Sequence, residues 1–216
     1  MTFDLFDPID EPRRTEQIGD AAFVLRGCAL PYVAALLPPL EAILQQAPFR
    51  HMMTPGGLRM GVALTNCGAL GWISDRRGYR YGPMDPDSEQ PWPALPDVFI
   101  RLAQDASEQA GFPGFAPDAC LINRYEPGTR LTLHQDKNEK DFAAPIVSVS
   151  LGIPAVFLFG GHERSDRTER VSLVHGDVAV WGGVDRLRYH GIMPLKHADH
   201  PLLGAQRINL TFRHAG

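Results

Sequence analysis

The run Ile146-Val147-Ser148-Val149-Ser150-Leu151-Gly152-Ile153-Pro154-Ala155-Val156-Phe157-Leu158-Phe159, closed by Gly160-Gly161, decides the fold class. Its β-branched and aromatic residues fall into two short stretches ended by glycine and proline, so they read as strands over 146–151 and 155–159. The same rhythm continues on both sides. Strands are expected at 119–125, 130–134, 171–174, 177–181, 187–192 and 206–213, with turns at Pro127-Gly128, Gly176-Asp177 and Gly182-Gly183. Eight short strands with such turns predict a mainly β (α+β) chain whose core is a jelly roll, a double-stranded β-helix.

Upstream, residues 1–20 read as a flexible polar arm and Ala21 to Leu25 as a short strand. Leu30 to Ala47 reads as a helix with Val33, Leu36, Leu37, Leu40, Ile43 and Leu44 on one side, which Pro38 and Pro39 should kink or split. Residues 54–94 form a long irregular stretch rich in Gly, Pro and aromatics, with a strand from Met60 to Asn66. Pro96 to Ala110 is a second helix, with Val98, Phe99, Leu102, Ala103 and Ala106 on one face and Gly111 as its stop. The expected division is an arm over 1–20, an N-terminal helical region over 21–115 and a jelly-roll core over 116–216, together one compact unit.

The 216 residues are 44% hydrophobic and 21% charged, enough to bury a core. A net charge of −4 supplies no global field to draw the chain onto nucleic acid, so any such binding needs a local basic patch. Three scattered cysteines, Cys28, Cys67 and Cys120, fit reduced buried thiols better than a disulfide framework. The acidic start, broken by Pro8 and Pro12, is unlike a signal peptide, and no apolar run approaches the ~18 residues of a membrane span. A cytoplasmic monomer is the expectation.

Leu131-Thr132-Leu133-His134-Gln135-Asp136 alternates. Residues two apart on a strand share a face with Cα atoms ~7 Å apart, so His134 and Asp136 can point at one ion. His190, on a later strand, can supply a third ligand. Two imidazoles and a carboxylate on one side of an ion form the facial set of non-haem Fe(II) oxygenases. An H-x-D pair alone is weak evidence. It recurs at His175-Gly176-Asp177, where turn chemistry explains the aspartate.

A second pattern strengthens the first. In Arg207-Ile208-Asn209-Leu210-Thr211-Phe212-Arg213 the apolar residues form one face, and Arg207, Asn209, Thr211 and Arg213 the other. The arginine Cα atoms lie ~20 Å apart along a strand, and their inward-reaching head groups could take a small dicarboxylate between them. The plain alternative is an amphipathic edge strand with solvated arginines.

These residues resemble the AlkB-type Fe(II)/2-oxoglutarate-dependent DNA alkylation-repair dioxygenases. The likeness rests on Asn123-Arg124-Tyr125, His134-Gln135-Asp136, His190 and Arg207-Ile208-Asn209 through Arg213, and runs from about Phe49 to Arg213. It implies a jelly roll with a nucleotide-recognition lid in the N-terminal region. It implies Fe(II) on the catalytic ligands His134, Asp136 and His190. By the same likeness Arg207, Asn123 and Tyr125 hold the distal carboxylate of 2-oxoglutarate, Arg213 sits near the proximal one, and Asn209 is a polar neighbour. The implied reaction uses O2 and 2-oxoglutarate to hydroxylate an N-methyl group of a base such as 1-methyladenine or 3-methylcytosine, with release of formaldehyde. RNA and etheno adducts are further candidate substrates.

On the substrate side, Trp72 is the candidate flat partner for an extruded base, with the His134 ring opposite, as the resemblance suggests. Arg76, Arg77, Tyr79 and Arg80 form the densest basic-aromatic cluster, suited to phosphate. Thr54 and Tyr79 match backbone-contacting positions of the family and Arg164 a substrate-side arginine, while Arg130, Gln135 and Lys137 are placed along the groove. One position departs from a compared member of the family: two residues beyond the metal aspartate, where that member has an aspartate facing the lesion, this chain has Asn138. Two other readings stay open: an oxygenase acting on RNA, tRNA or a small molecule, and a non-catalytic binder of damaged nucleic acid. The binder would be expected to lack a metal ligand, and all three are present.

Overall fold

The computed structural model describes residues 14–216. Its jelly roll is made of β6 (Ala119–Tyr125), β7 (Leu131–His134), β8 (Ile146–Gly152), β9 (Ala155–Phe159), β10 (Glu169–Leu173), β11 (Val178–Trp181), β12 (His190–Ile192) and β13 (Arg207–Arg213). These match the eight expected strands to within a few residues; β12 is the shortest. The earlier elements are β1 (Thr15–Gly19), β2 (Ala22–Leu25), α1 (Val33–Gln46), β3 (Ala63–Gly68), β4 (Gly71–Asp75), β5 (Gly78–Gly82) and α2 (Asp97–Gln109).

Two sheets face each other. The larger has the order β1-β2-β11-β8-β13-β6-β3, the smaller β10-β9-β12-β7, and β4-β5 form a separate hairpin. Alternation along the larger sheet explains why both its faces are buried. Cys120, Ile122, Val147, Val149, Leu151, Val178, Val180, Ile208, Leu210 and Phe212 join one core with Leu36, Leu40 and Ile43 of α1 and Phe99, Leu102, Ala103 and Ala106 of α2. Burying each large apolar side chain there contributes roughly 1.5–3 kcal/mol. The residues between them point into the space between the sheets, where Tyr125, Ile146, Ala179 and Trp181 meet Phe157, Phe159 and Ile192 of the smaller sheet. The functional side chains share this inner face. Gly191 lets β12 run close against β7, since a Cβ there would lie 2.7 Å from the Leu131 carbonyl oxygen.

Three expectations are corrected. Thr15–Gly19, read as part of a loose arm, is a strand paired with β2, which itself pairs with β11; the rest of that arm, 1–13, lies outside the described residues. Pro38 and Pro39 do not split α1, which is continuous over Val33–Gln46. Their missing amides leave the Ala34 and Ala35 carbonyls without helical donors, but both residues are on the exposed face where water serves, and burial of Leu36, Leu40 and Ile43 holds the helix. The 54–94 stretch is not all irregular, because it contains the β4-β5 hairpin, and its first strand spans Ala63–Gly68 rather than 60–66. The alternative of an amphipathic edge strand is ruled out, since β13 lies between β8 and β6.

Candidate active site

His134 ends β7 and His190 opens β12, and the antiparallel register makes them direct partners. Their ring centroids stand 4.4 Å apart, and Asp136 lies two residues beyond the end of the strand. The Nε2 atom of His134 is 3.7 Å from Asp136 Oδ1, and that of His190 is 3.7 Å from Oδ2. One donor atom from each of the three lies within 4.8 Å of the others, the only such His/Cys/Asp/Glu group among the described residues.

Local hydrogen bonds aim these three side chains. His134 Nδ1 donates to the Thr132 carbonyl and His190 Nδ1 to the Arg188 carbonyl, each at 3.0 Å. A carbonyl only accepts, so the proton sits on Nδ1 and the Nε2 lone pair faces the other members of the triad. Burial, with His134 beside it, pushes His190 down to about 3, so the ring stays neutral and ready for a cation. Burial alone would raise the Asp136 carboxyl; the Arg213 guanidinium and both imidazoles hold it well below the usual carboxylate range. Arg213 donates to Asp136 Oδ2 from Nε at 3.1 Å and Nη2 at 2.7 Å.

The His190 shift sets a pH dependence for the metal-free protein. The unfolded chain protonates this imidazole below 6.5, whereas the folded one resists until about 3. Between those values the unfolded state binds more protons, so folding stability falls as pH is lowered. This one group gives a slope approaching about 1.4 kcal/mol per pH unit. Thermal unfolding midpoints from pH 7 to 4.5 check it, and His190→Asn is expected to flatten the decline.

On the inner face of β13, Arg207 is 1% exposed. Its Nη2 donates to Ser150 Oγ at 2.9 Å and its guanidinium lies 5.0 Å over the Tyr125 ring. Its Nε and Nη1 have no hydrogen-bond partner among the described residues. A buried cation with two idle donors fits a carboxylate supplied by a ligand. Burial pushes this guanidinium down from its ordinary value. Tyr125 and Asn123 on β6 stand directly across from Arg207 and Asn209, so all four inner-face residues are neighbours. Asn209 is bonded within the barrel, donating to Ser148 Oγ and the Val149 carbonyl and accepting from Thr211. The two arginines are therefore not equivalent jaws: Arg213 is committed to Asp136, whereas Arg207 keeps open donors.

The β4-β5 hairpin carries Trp72 and Tyr79, whose rings stack at 5.5 Å. Trp72 Nε1 donates to Asn138 Oδ1 at 3.2 Å, which brings this hairpin to the loop following Asp136. The expected basic cluster is partly neutralised, because Arg80 forks onto Asp75 at 2.8 and 2.7 Å and Arg77 is 3.4 Å from the same carboxylate. Arg76 remains an exposed cation on this turn. Thr54 closes a tight turn, accepting from the Leu58 amide. Arg164 is exposed, 5.9 Å from the Tyr189 ring. Lys137 and Arg130 are exposed, and Gln135 donates to the Leu187 carbonyl rather than into open space.

Three participants escaped the sequence reading. Glu139, Arg186 and Tyr81 meet beside Arg213: Tyr81 donates to Glu139 Oε1 at 2.7 Å and Arg186 to Oε2 at 3.2 Å. Each is ordinary in its own stretch, and only the fold joins them. The second H-x-D pair is structural as expected, with Asp177 accepting from the Gly27 and Val174 amides and from Arg26.

With this geometry, comparison with known proteins is decisive: the 2OG-Fe(II) oxygenase superfamily matches residues 34–213. The chain belongs to that superfamily. Within it the oxygenase is an AlkB-type, alpha-ketoglutarate-dependent member. It is 55% identical over 212 residues to the alpha-ketoglutarate-dependent dioxygenase AlkB of Salmonella typhimurium, covering 98% of this chain and 97% of that protein. The AlkB of Escherichia coli is 55% identical over 201 residues, 93% of each chain. The solved structure of OsALKBH1 superposes with a TM-score of 0.80 at 26% identity, covering 93% of this oxygenase and 99% of that chain. Fe(II) and 2-oxoglutarate are accordingly its metal and co-substrate, and the triad His134, Asp136 and His190 suits the iron. No helix among the described residues is long and apolar enough to cross a membrane.

Proposed function

We propose that this oxygenase removes methyl groups from ring nitrogens of alkylated bases in nucleic acid, with DNA lesions such as 1-methyladenine and 3-methylcytosine as its main substrates. Its likeness to the AlkB proteins supports the reaction class. The observation that carries the nucleic-acid reading is the stacked Trp72–Tyr79 pair on a hairpin bonded to the loop of the metal ligand Asp136. That hairpin is then the lid, and Trp72 the flat surface for an extruded base.

Iron and 2-oxoglutarate, when bound, divide the two atoms of O2 between the co-substrate, which leaves as succinate and CO2, and the methyl C–H, which becomes N–CH2OH. The N–CH2OH group then breaks at its C–N bond, giving formaldehyde and the N–H base. The chain's own residues bind and orient. His134, Asp136 and His190 would hold the iron, their Nε2 and carboxylate atoms fixed by the backbone bonds and by Arg213. Arg207, with Tyr125 and Asn123 beside it, would anchor the distal carboxylate of 2-oxoglutarate, and Asn209 stiffens that wall. Arg213 would sit close to the proximal carboxylate. Thr54, Tyr79, Arg76, Arg164 and Lys137 offer polar and cationic contacts to the sugar-phosphate backbone.

The test is a mass-spectrometric assay. Incubation with Fe(II), 2-oxoglutarate and a singly methylated oligonucleotide is expected to lower the oligonucleotide mass by one CH2 and release succinate. Binding of the methylated strand without either change would favour the non-catalytic binder. DNA and RNA strands run in parallel separate DNA repair from RNA modification.

Asn138 bears on lesion choice. Its Oδ1 already accepts from Trp72, and as an amide it brings no negative charge to the base. A weaker preference for cationic over neutral lesions is expected than a carboxylate would give. Asn138→Asp should raise the kcat/KM ratio of 1-methyladenine over ethenoadenine by about tenfold, the scale of a hydrogen bond gaining a charge. An unchanged ratio would show that this position does not read charge.

A further inference from the structure

Glu139 lies three residues beyond the metal ligand Asp136 and is 6% exposed. Buried carboxylates are rare without partners, and this one collects three. Tyr81 of the lid donates to Oε1 at 2.7 Å, Arg213 Nε approaches the same oxygen at 3.4 Å, and Arg186 Nη2 donates to Oε2 at 3.2 Å. Both arginines also hold Asp136. Arg213 forks onto its carboxylate, and Arg186, 2% exposed, donates from Nη1 to its backbone carbonyl at 2.8 Å and from Nε to the Ala144 carbonyl at 3.0 Å.

The lid meets this cluster twice. Trp72 and Tyr81 are direct cross-strand partners in β4 and β5, and they donate to the consecutive residues Asn138 and Glu139. A two-stranded hairpin is marginal alone. One side of this hairpin is fixed by Ile73 packing with Trp92 and Ala47. The other side has these two hydrogen bonds to the loop of the metal ligand.

We propose that Glu139 is a positioning residue that serves two tasks at once: it shares the charge of Arg213, so that Asp136 remains a strong metal donor, and it latches the lid through Tyr81. Metal occupancy and lid closure are then coupled through one buried carboxylate, and such coupling works in both directions. The inference rests on the metal reading of the site and not on the identity of the lesion.

The test uses the full-length protein with Co(II) as a spectroscopic stand-in for iron, and trypsin cleavage after the exposed Arg76 and Arg77 as the measure of lid opening. In the wild-type protein, Co(II) should slow that cleavage. Tyr81→Phe cuts only the lid arm. Its cleavage should be about tenfold faster and no longer slowed by Co(II), and its Co(II) affinity should fall by no more than the factor by which Co(II) slows cleavage of the wild-type protein. Glu139→Gln keeps an acceptor for Tyr81 but turns an amide N–H toward Arg186. It should weaken Co(II) binding by about ten- to hundredfold, as loss of an outer-shell partner does, and alter the Co(II) absorption spectrum. A Glu139→Gln protein with wild-type Co(II) affinity and spectrum would overturn the proposal, as would a Tyr81→Phe protein cut at the wild-type rate. Co(II) binding by the wild-type chain, read in the same titration, separates failure of this inference from failure of the metal site.

Discussion

Exchanging Arg207 for methionine is expected to abolish productive 2-oxoglutarate binding while leaving the co-substrate-free protein more stable. Both effects follow from one observation, a guanidinium 1% exposed with Nε and Nη1 unpartnered. In the proposed site, a 2-oxoglutarate carboxylate would complete a buried ion pair with Arg207. Breaking such a pair by removing one partner costs roughly 3–5 kcal/mol, so the 2-oxoglutarate KM should rise by about a hundredfold or more. Before it arrives, the cation carries its desolvation cost largely uncompensated, since Ser150 and the Tyr125 ring are neutral. Methionine fills similar space without that charge. Thermal unfolding with and without 2-oxoglutarate checks both halves. The wild-type midpoint should rise on adding the co-substrate, whereas the variant should start higher and not respond.

His134→Ala is expected to lower turnover by more than a hundredfold with little loss of stability, since even outer-shell partners of metals cost about ten- to hundredfold. The His134 side chain is 34% exposed and its ring makes one bond to the Thr132 carbonyl. Truncation should therefore cost under about 1.5 kcal/mol of folding energy. The metal site, in contrast, loses one of three ligands. Binding of a methylated strand by Trp72 and the surface arginines should persist. Succinate release and strand binding measured together check this pair of outcomes, and loss of strand binding in parallel with turnover would show that His134 does more than hold metal.

Much of this was legible in the sequence because periodicity two carries it. Alternation placed His134 and Asp136 together and put Arg207, Asn209 and Arg213 on one face of a strand, and the turn signals located eight strands. The different fates of the two arginines were not legible. Arg213 is claimed by Asp136, an ion pair across 77 positions, whereas Arg207 keeps Nε and Nη1 without a partner among the described residues. Glu139, Arg186 and Tyr81 carry no local pattern; their meaning comes only from a loop, a turn and a hairpin folding to one point. Arg80 counts toward the basic cluster in the sequence, but Asp75, five residues earlier, becomes its partner across the hairpin turn. Pro38 and Pro39 were read as helix breakers because local propensity ignores burial, and the buried apolar face of α1 outweighs two missing amides at solvent-facing carbonyls.

The proposed chemistry requires one iron ion held by His134, Asp136 and His190 beside a 2-oxoglutarate anchored on Arg207. An anaerobic titration of metal-free protein with Fe(II) in the presence of 2-oxoglutarate tests it most directly, followed by the visible charge-transfer absorption that a chelated keto acid gives on iron. The expected result is a band that saturates at one iron per chain, is absent in His190→Ala, and in Arg207→Met appears only at far higher 2-oxoglutarate. A chain that gives no saturable band, or an unchanged band in His190→Ala, would contradict the account.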